Sequence, residues 1–356
     1  MSVLREIRAR GAFREPQFVD LGLAHVPFDT LTGEDAVEGP MLDAVSAGSS
    51  AAIVGARGGG KSSVLAWLCR QLPDDHVAIR VPVVGMDDPS DPAVLGSVAL
   101  GAALEAARAN EVDVSGDQRE AIESARADDF IRRPGRTSAG GKLGGGPVPV
   151  EVSAQLKSLE IEYSRGRQPV DRLYGLDRLL GIFNHHGRVP VLVLEDTEAA
   201  LGTGVDEATR DRFFSNSLKL LVREIETPTI IAVQDHFTEL DAYAELRPYL
   251  FEATIPSLAA RTVDGLRAIL AHRLEFFGIE TSIEDLIADE ALSALAALYD
   301  EKNGSIRHVL AALEVAAAAA IDSDATRRGS KPDMCDSASR TGATAERVIR
   351  ADRTSR

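Results

Sequence analysis

Cysteine is nearly absent. Cys69 and Cys335 are the two in 356 residues, too few for a disulfide framework and without histidines at the spacing of a zinc site. Long apolar runs are missing too: no stretch approaches the ~18 apolar residues that mark a membrane helix. The first 25 residues carry Arg, Glu and Asp throughout, so no cleavable apolar signal is expected there. A reduced, cytoplasmic setting follows as the expectation. Aromatic residues make up 5% and tryptophan occurs once, leaving little to build stacking platforms for single-stranded nucleic acid. Positive charge is also short, with 39 Lys and Arg against 55 acids and a net charge of −16. The stretch from Ala325 onward carries +4 and the rest −20. An acidic body repels a phosphate backbone, which excludes broad nonspecific nucleic-acid binding by the folded part. DNA contact would fall to the Arg132–Arg136 stretch, the basic tail or a partner.

What is present is a rhythm. Ser50–Val54, Val77–Val83, Val189–Leu194, Thr229–Val233 and Phe251–Ile255 are short apolar runs that predict buried strands. Between them lie helical patterns at Ser62–Leu72, Pro92–Ala109, Val170–Phe183 and Ala208–Ile225. Asp91-Pro92 supplies an N-cap followed by proline at the first helical position. Strands alternating with helices predict an α/β fold, a parallel sheet with helices on both faces.

Two segments break the rhythm. About 130–166, a stretch rich in Gly, Arg and Ser is followed by Val148, Val150, Val152, Leu159, Ile161 and Tyr163 at period two. This predicts a loop feeding a β-hairpin inserted into the core, either a surface excursion or a binding element. After Pro256 the strand runs stop. Thr262–Phe277, Ile283–Ile287, Glu290–Tyr299 and Ser305–Ile321 are Leu- and Ala-rich helical patterns, with Asn303-Gly304 punctuating the last pair. The expected organisation is an N-terminal segment (1–25), an α/β core (26–256), a small all-α unit (257–322) and a disordered tail (323–356) with almost nothing to bury.

The chemistry concentrates at Gly55-Ala56-Arg57-Gly58-Gly59-Gly60-Lys61-Ser62-Ser63, which fits G-x-x-x-x-G-K-[ST] without a mismatch. The glycines let successive backbone N–H groups curl around phosphate oxygens, and the helix that starts there turns its positive dipole end to the anion. Lys61 would reach the β- and γ-phosphates and Ser62 would ligate Mg²⁺. Gly140-Gly141-Lys142-Leu143 lacks both the preceding strand and a Ser or Thr after the lysine, and reads as linker. Val191-Leu192-Val193-Leu194-Glu195-Asp196 ends a buried strand in two acids. Carboxylates at that sheet edge are what phosphoryl transfer needs to hold a metal and orient water. His185-His186 has no third ligand and reads as a helix C-cap, and Asp87, Asp88 and Asp91 read as caps and turns. No G-x-S-x-G elbow occurs.

Together the loop and the acidic strand end resemble the AAA+ superfamily of P-loop ATPases, in the branch of origin-recognition, clamp-loader and STAND-type modules. The resemblance covers about Phe28 to Ile321. It implies a P-loop NTPase core with a small all-α lid, ATP and Mg²⁺ as cofactors, and catalytic roles for Lys61, Glu195, Asp196, Gln234, Arg247 and Arg307. The family's strand-end acids read Asp-Glu, metal holder then base; here the order is reversed, so either Glu195 or Asp196 can be the metal side, beside Ser62. Gln234, with Asp235 close behind, stands where the family carries a polar sensor. Arg247 precedes the last strand, where the family places an arginine finger that reaches a neighbour's γ-phosphate. Gly304-Ser305-Ile306-Arg307 matches the lid signature whose arginine contacts the γ-phosphate.

Two functions follow as expectations. One is an ATPase coupling Mg-ATP binding and hydrolysis to lid movement and partner remodelling, in a nucleotide-dependent homo-oligomer. The other is a nucleotide-gated scaffold with little turnover that recruits a protein partner. A small-molecule kinase is a distant third, because such enzymes rarely carry this lid.

Overall fold

The five apolar runs become strands: β1 (Ala51–Gly55), β2 (His76–Pro82), and after a gap Val189–Glu195, Thr229–Gln234 and Phe251–Thr254. The first, third and fourth of these bury both faces, while the second and fifth are partly exposed. The computed structural model describes residues 3–14, 17–34, 36–112, 130–132, 161–163, 170–202, 204–225, 227–258 and 262–329. Within the gap, β3 (Phe130–Arg132) pairs antiparallel with β4 (Ile161–Tyr163). The three later strands are therefore β5, β6 and β7 in chain order. All five central strands run parallel, in the order β2–β5–β6–β1–β7.

Period-two alternation along the strands divides the core. Ala52, Val54, Leu192, Leu194, Ile231 and Val233 face one side, against α6 (Pro92–Ala109), α7 (Val170–His185) and the buried Phe213 and Phe214. Ala51, Ile53, Val191, Val193, Ile230 and Ala232 face the other, against α5 (Lys61–Gln71) and the C-terminal helices. Asp91 caps α6 as expected, its side chain accepting from Ala93 N at 2.9 Å with Pro92 at the first turn.

Four expectations change. The partner of the 161–163 strand is Phe130–Arg132, where the composition shift to Gly and Arg had suggested loop; Val148–Val152 lies outside the described residues. The N-terminal segment (1–25), for which the sequence reading predicts no particular element, forms α1 (Val3–Arg10) and α2 (Phe18–Leu23), followed by α3 (Phe28–Thr32) and α4 (Glu38–Ser46). The single helix expected over 208–225 contains a wider π turn at Phe213–Leu218, between α9 (Glu207–Arg212) and α10 (Lys219–Glu224), with α8 (Thr197–Leu201) before them. The π turn brings Phe213 and Phe214 together into the core. Finally, α15 (Ile306–Gly329) runs past Ile321. Residues 330–356 lie outside the described ones.

The remaining helices are α11 (Asp241–Leu246), then α12 (Thr262–Phe276), α13 (Ile283–Leu286) and α14 (Asp289–Glu301). Helix α1 rests on α15, where Arg8 and Arg14 both reach Glu314, at 3.2 and 3.0 Å. Buried Arg273 of α12 donates to the carbonyls of Ala12 (2.8 Å) and Arg14 (2.6 Å). The first residues of the chain are thereby fixed to the C-terminal helical region. No helix among the described residues is long and apolar enough to cross a membrane.

Candidate nucleotide site

Strand β1 ends at Gly55, the chain turns through Ala56–Gly60, and α5 begins at Lys61. Gly58 and Gly60 carry φ of +76° and +106°, a region side chains avoid. At Gly58 the constraint is also spatial: a Cβ would collide with the Ser305 hydroxyl, and the Gly58 carbonyl accepts from Ile306 N at 3.1 Å. The loop is thus seated directly against the first turn of α15.

Lys61 is 3% exposed. Its Nζ donates to the carbonyls of Gly55 (2.9 Å) and Ala56 (2.7 Å) and lies 3.0 Å from Glu198 Oε2. Burial pulls the ammonium below its ordinary pKa; Glu198, then Asp235, oppose that, and Arg307 adds to it. Lys61, Glu198, Asp235 and Arg307 therefore share one electrostatic neighbourhood. Ser62 is exposed in the first turn of α5, while the Ser63 hydroxyl donates to the Leu21 carbonyl at 3.3 Å.

The strand-end acids part company. Glu195 lies on the α5 face of the sheet, as does Arg80, because both follow the alternation that puts Val193 and Ala78 there. Arg80 grips the Glu195 carboxylate with Nε and Nη2, the second bond at 2.9 Å. The guanidinium also sits 4.1 Å from the centre of the Phe18 ring. Burial, followed by the charge of Glu195, pushes the nearby Cys69 thiol up to about 12. Asp196 is exposed and left-handed (φ +56°), opening α8. The carboxylate found on Lys61 is Glu198, one turn further on, absent from the expected set. Its signal was a third acid in Glu195-Asp196-Thr197-Glu198, which the strand-end pattern stopped short of.

Gln234 is buried and pairs in register with Gly55, on the face of β6 that looks to α5. Asp235 follows it in a short 3₁₀ turn. Arg247 donates to Glu252 Oε1 at 2.8 Å, and Tyr243 donates to the other oxygen at 3.0 Å. Glu252 pairs with Ala52, near the start of β1, so Arg247 stands at the opposite end of the sheet from the loop. The structure brings the loop, Gln234, Glu198 and Arg307 to one edge, and leaves Arg247 away from it.

A cavity of about 500 Å³ opens from the loop residues Gly58–Ser63 toward Arg307 and an apolar wall that includes Phe13, Phe28 and Leu310. His25 also lines it; its Nε2 lies 2.7 Å from Glu38 Oε1, which accepts from Phe28 N at 3.0 Å. Such a volume suits a nucleotide-sized ligand.

Neither a family model nor a curated protein sequence matches the chain. Among solved structures it is similar to the ORC2 protein of Aeropyrum pernix, determined as ADPNP–ADP complexes, at 11% identity and a TM-score of 0.43. The match covers 81% of this chain and 64% of that one, so the chain spans less than two thirds of that protein's length.

Proposed function

We propose that the chain binds ATP with magnesium in this cavity and hydrolyses it. One observation carries the reading: Lys61, nearly sealed from water, sits in a loop whose strand–turn–helix setting and left-handed glycines meet every steric demand of a phosphate cradle. The groups fit the ligand. The N-terminus of α5 and Lys61 would take the phosphates, and the apolar wall beside His25 would take the base. Among the described residues no group of three or more His, Cys, Asp or Glu could hold a metal unaided. Magnesium carried by a triphosphate needs only one or two protein oxygens, and Ser62 with Asp196 would supply them. The bound ion would neutralise phosphate charge.

The chain's residues then divide the work. Lys61 balances charge at the β- and γ-phosphates, Gln234 orients water, and Arg307 approaches from α15 so that core and lid grip one ligand. Losing the γ-phosphate removes the contact that favours closure, which couples hydrolysis to lid position. Arg247, anchored by Glu252 away from the loop, would serve only a neighbouring copy in a homo-oligomer.

The second reading, a low-turnover switch that recruits a protein partner, is favoured by the grip of Arg80 on Glu195. Steady-state phosphate release and labelled-ATP titration separate the two. The wild type is expected to bind saturably, and Lys61→Ala to lose binding by about 100-fold or more, as removal of a charge-assisted partner implies. Turnover abolished in Lys61→Ala supports the ATPase; tight binding with negligible turnover in the wild type supports the switch. No saturable uptake by the wild type overturns both.

A further inference from the structure

We infer that Glu198 is a tethered counter-anion that an incoming phosphate must displace from the loop, and so determines how much phosphate charge a ligand needs in order to bind. This rests on the nucleotide-binding reading above. One carboxylate bridges both cationic side chains of the loop: Oε2 lies 3.0 Å from Lys61 Nζ and Oε1 lies 3.4 Å from Arg57 Nε. Those are the positive side chains that the loop itself offers a terminal phosphate, so Glu198 and a phosphate compete for the same partners.

The two contacts differ in weight. Arg57 is 68% exposed in its side chain and screened by water, whereas Lys61 is 3% exposed. The Lys61 contact therefore dominates. Glu198 is also held by its backbone. Thr197, buried beside it, donates its hydroxyl to the Ala232 carbonyl of β6, and the left-handed Asp196 fixes the turn into α8. The carboxylate is thus delivered to the loop at little cost in conformational freedom.

Two consequences follow. A ligand with one weak negative charge gains little by exchanging places with Glu198, whereas a polyphosphate also collects the loop N–H groups and the end of α5. A displaced Glu198 stays tethered near the terminal phosphate and repels it, more strongly the more charge that end carries. Removing the charge should therefore tighten every phosphate ligand, and ATP more than ADP.

The test is equilibrium titration of fluorescent ATP and ADP into the full chain, with inorganic pyrophosphate as a competing probe. Wild type, Glu198→Gln, Glu198→Ala and Lys61→Ala are compared at equal salt. Both Glu198 variants are expected to bind ATP about tenfold more tightly, as release of one charge-assisted competitor implies. ADP should gain less, and pyrophosphate should compete at lower concentration. Thermal melts show that the variants are folded. If folded Glu198 variants bind ATP no better than wild type while Lys61→Ala still loses it, Glu198 is no competitor and this inference alone falls. If the wild type takes up neither nucleotide nor pyrophosphate, the nucleotide reading falls with it.

Discussion

The two sides of the sheet are built from the same five strands yet carry different chemistry. Toward α6 and α7 the filling is apolar: Phe213 and Tyr243 pack edge to face on Phe214 and Phe237 lies tilted against it, with ring centres 5.2 to 5.9 Å apart. Toward α5 and the first and last helices lie the charged residues that are buried among the described ones: His25, Glu38, Lys61, Glu195 and Arg273. Burial of charge is unfavourable unless it is paired or hydrogen-bonded: His25 meets Glu38, Lys61 meets Glu198, Glu195 meets Arg80, and Arg273 donates to two backbone carbonyls. The contrast teaches that both sides carry an apolar core while the buried charge and the candidate site gather on one of them, separated by a one-residue alternation in the strands.

Substitutions can break that division. Phe214→Ala, on the apolar side, should remove about 3–5 kcal/mol from the unfolding free energy in denaturant and leave ATP affinity of the folded fraction unchanged; a parallel loss of affinity would mean the sides are coupled. Glu195→Gln should remove about 1–2 kcal/mol by weakening a bidentate charged contact whose arginine is partly solvated. Magnesium-dependent ATP binding should survive it, because Arg80 already holds that carboxylate; loss of the magnesium dependence would return Glu195 to the metal. Asp91→Ala should cost about 1 kcal/mol as a lost N-cap, seen as a small fall in denaturation midpoint with no change in binding.

The sequence reading went furthest where a feature is contiguous. The strands were legible because β-branched runs such as Thr229–Val233 need no partner to be recognised, and the loop was legible because its residues are consecutive. The hairpin partner was not, since pairing Phe130–Arg132 with Ile161–Tyr163 depends on register across a long insertion. The N-terminal helices are short, and helices of that length are held by packing rather than by their own pattern. In the site, Glu198 and Arg80 were missed for one reason. Each matters through a contact between residues distant in the chain, Lys61 with Glu198 and Arg80 with Glu195. Placing Glu195 against Arg80 required the β2–β5 register, which composition does not encode.

The bond from Ile306 N to the Gly58 carbonyl has a mechanical consequence. The helix that begins there has 24 residues, about 36 Å at 1.5 Å per residue. On the proposed reading, a tilt of about 5° about that first peptide group would sweep the far end of the helix through about 3 Å. A small adjustment of the Gly58 carbonyl would then be magnified along the helix.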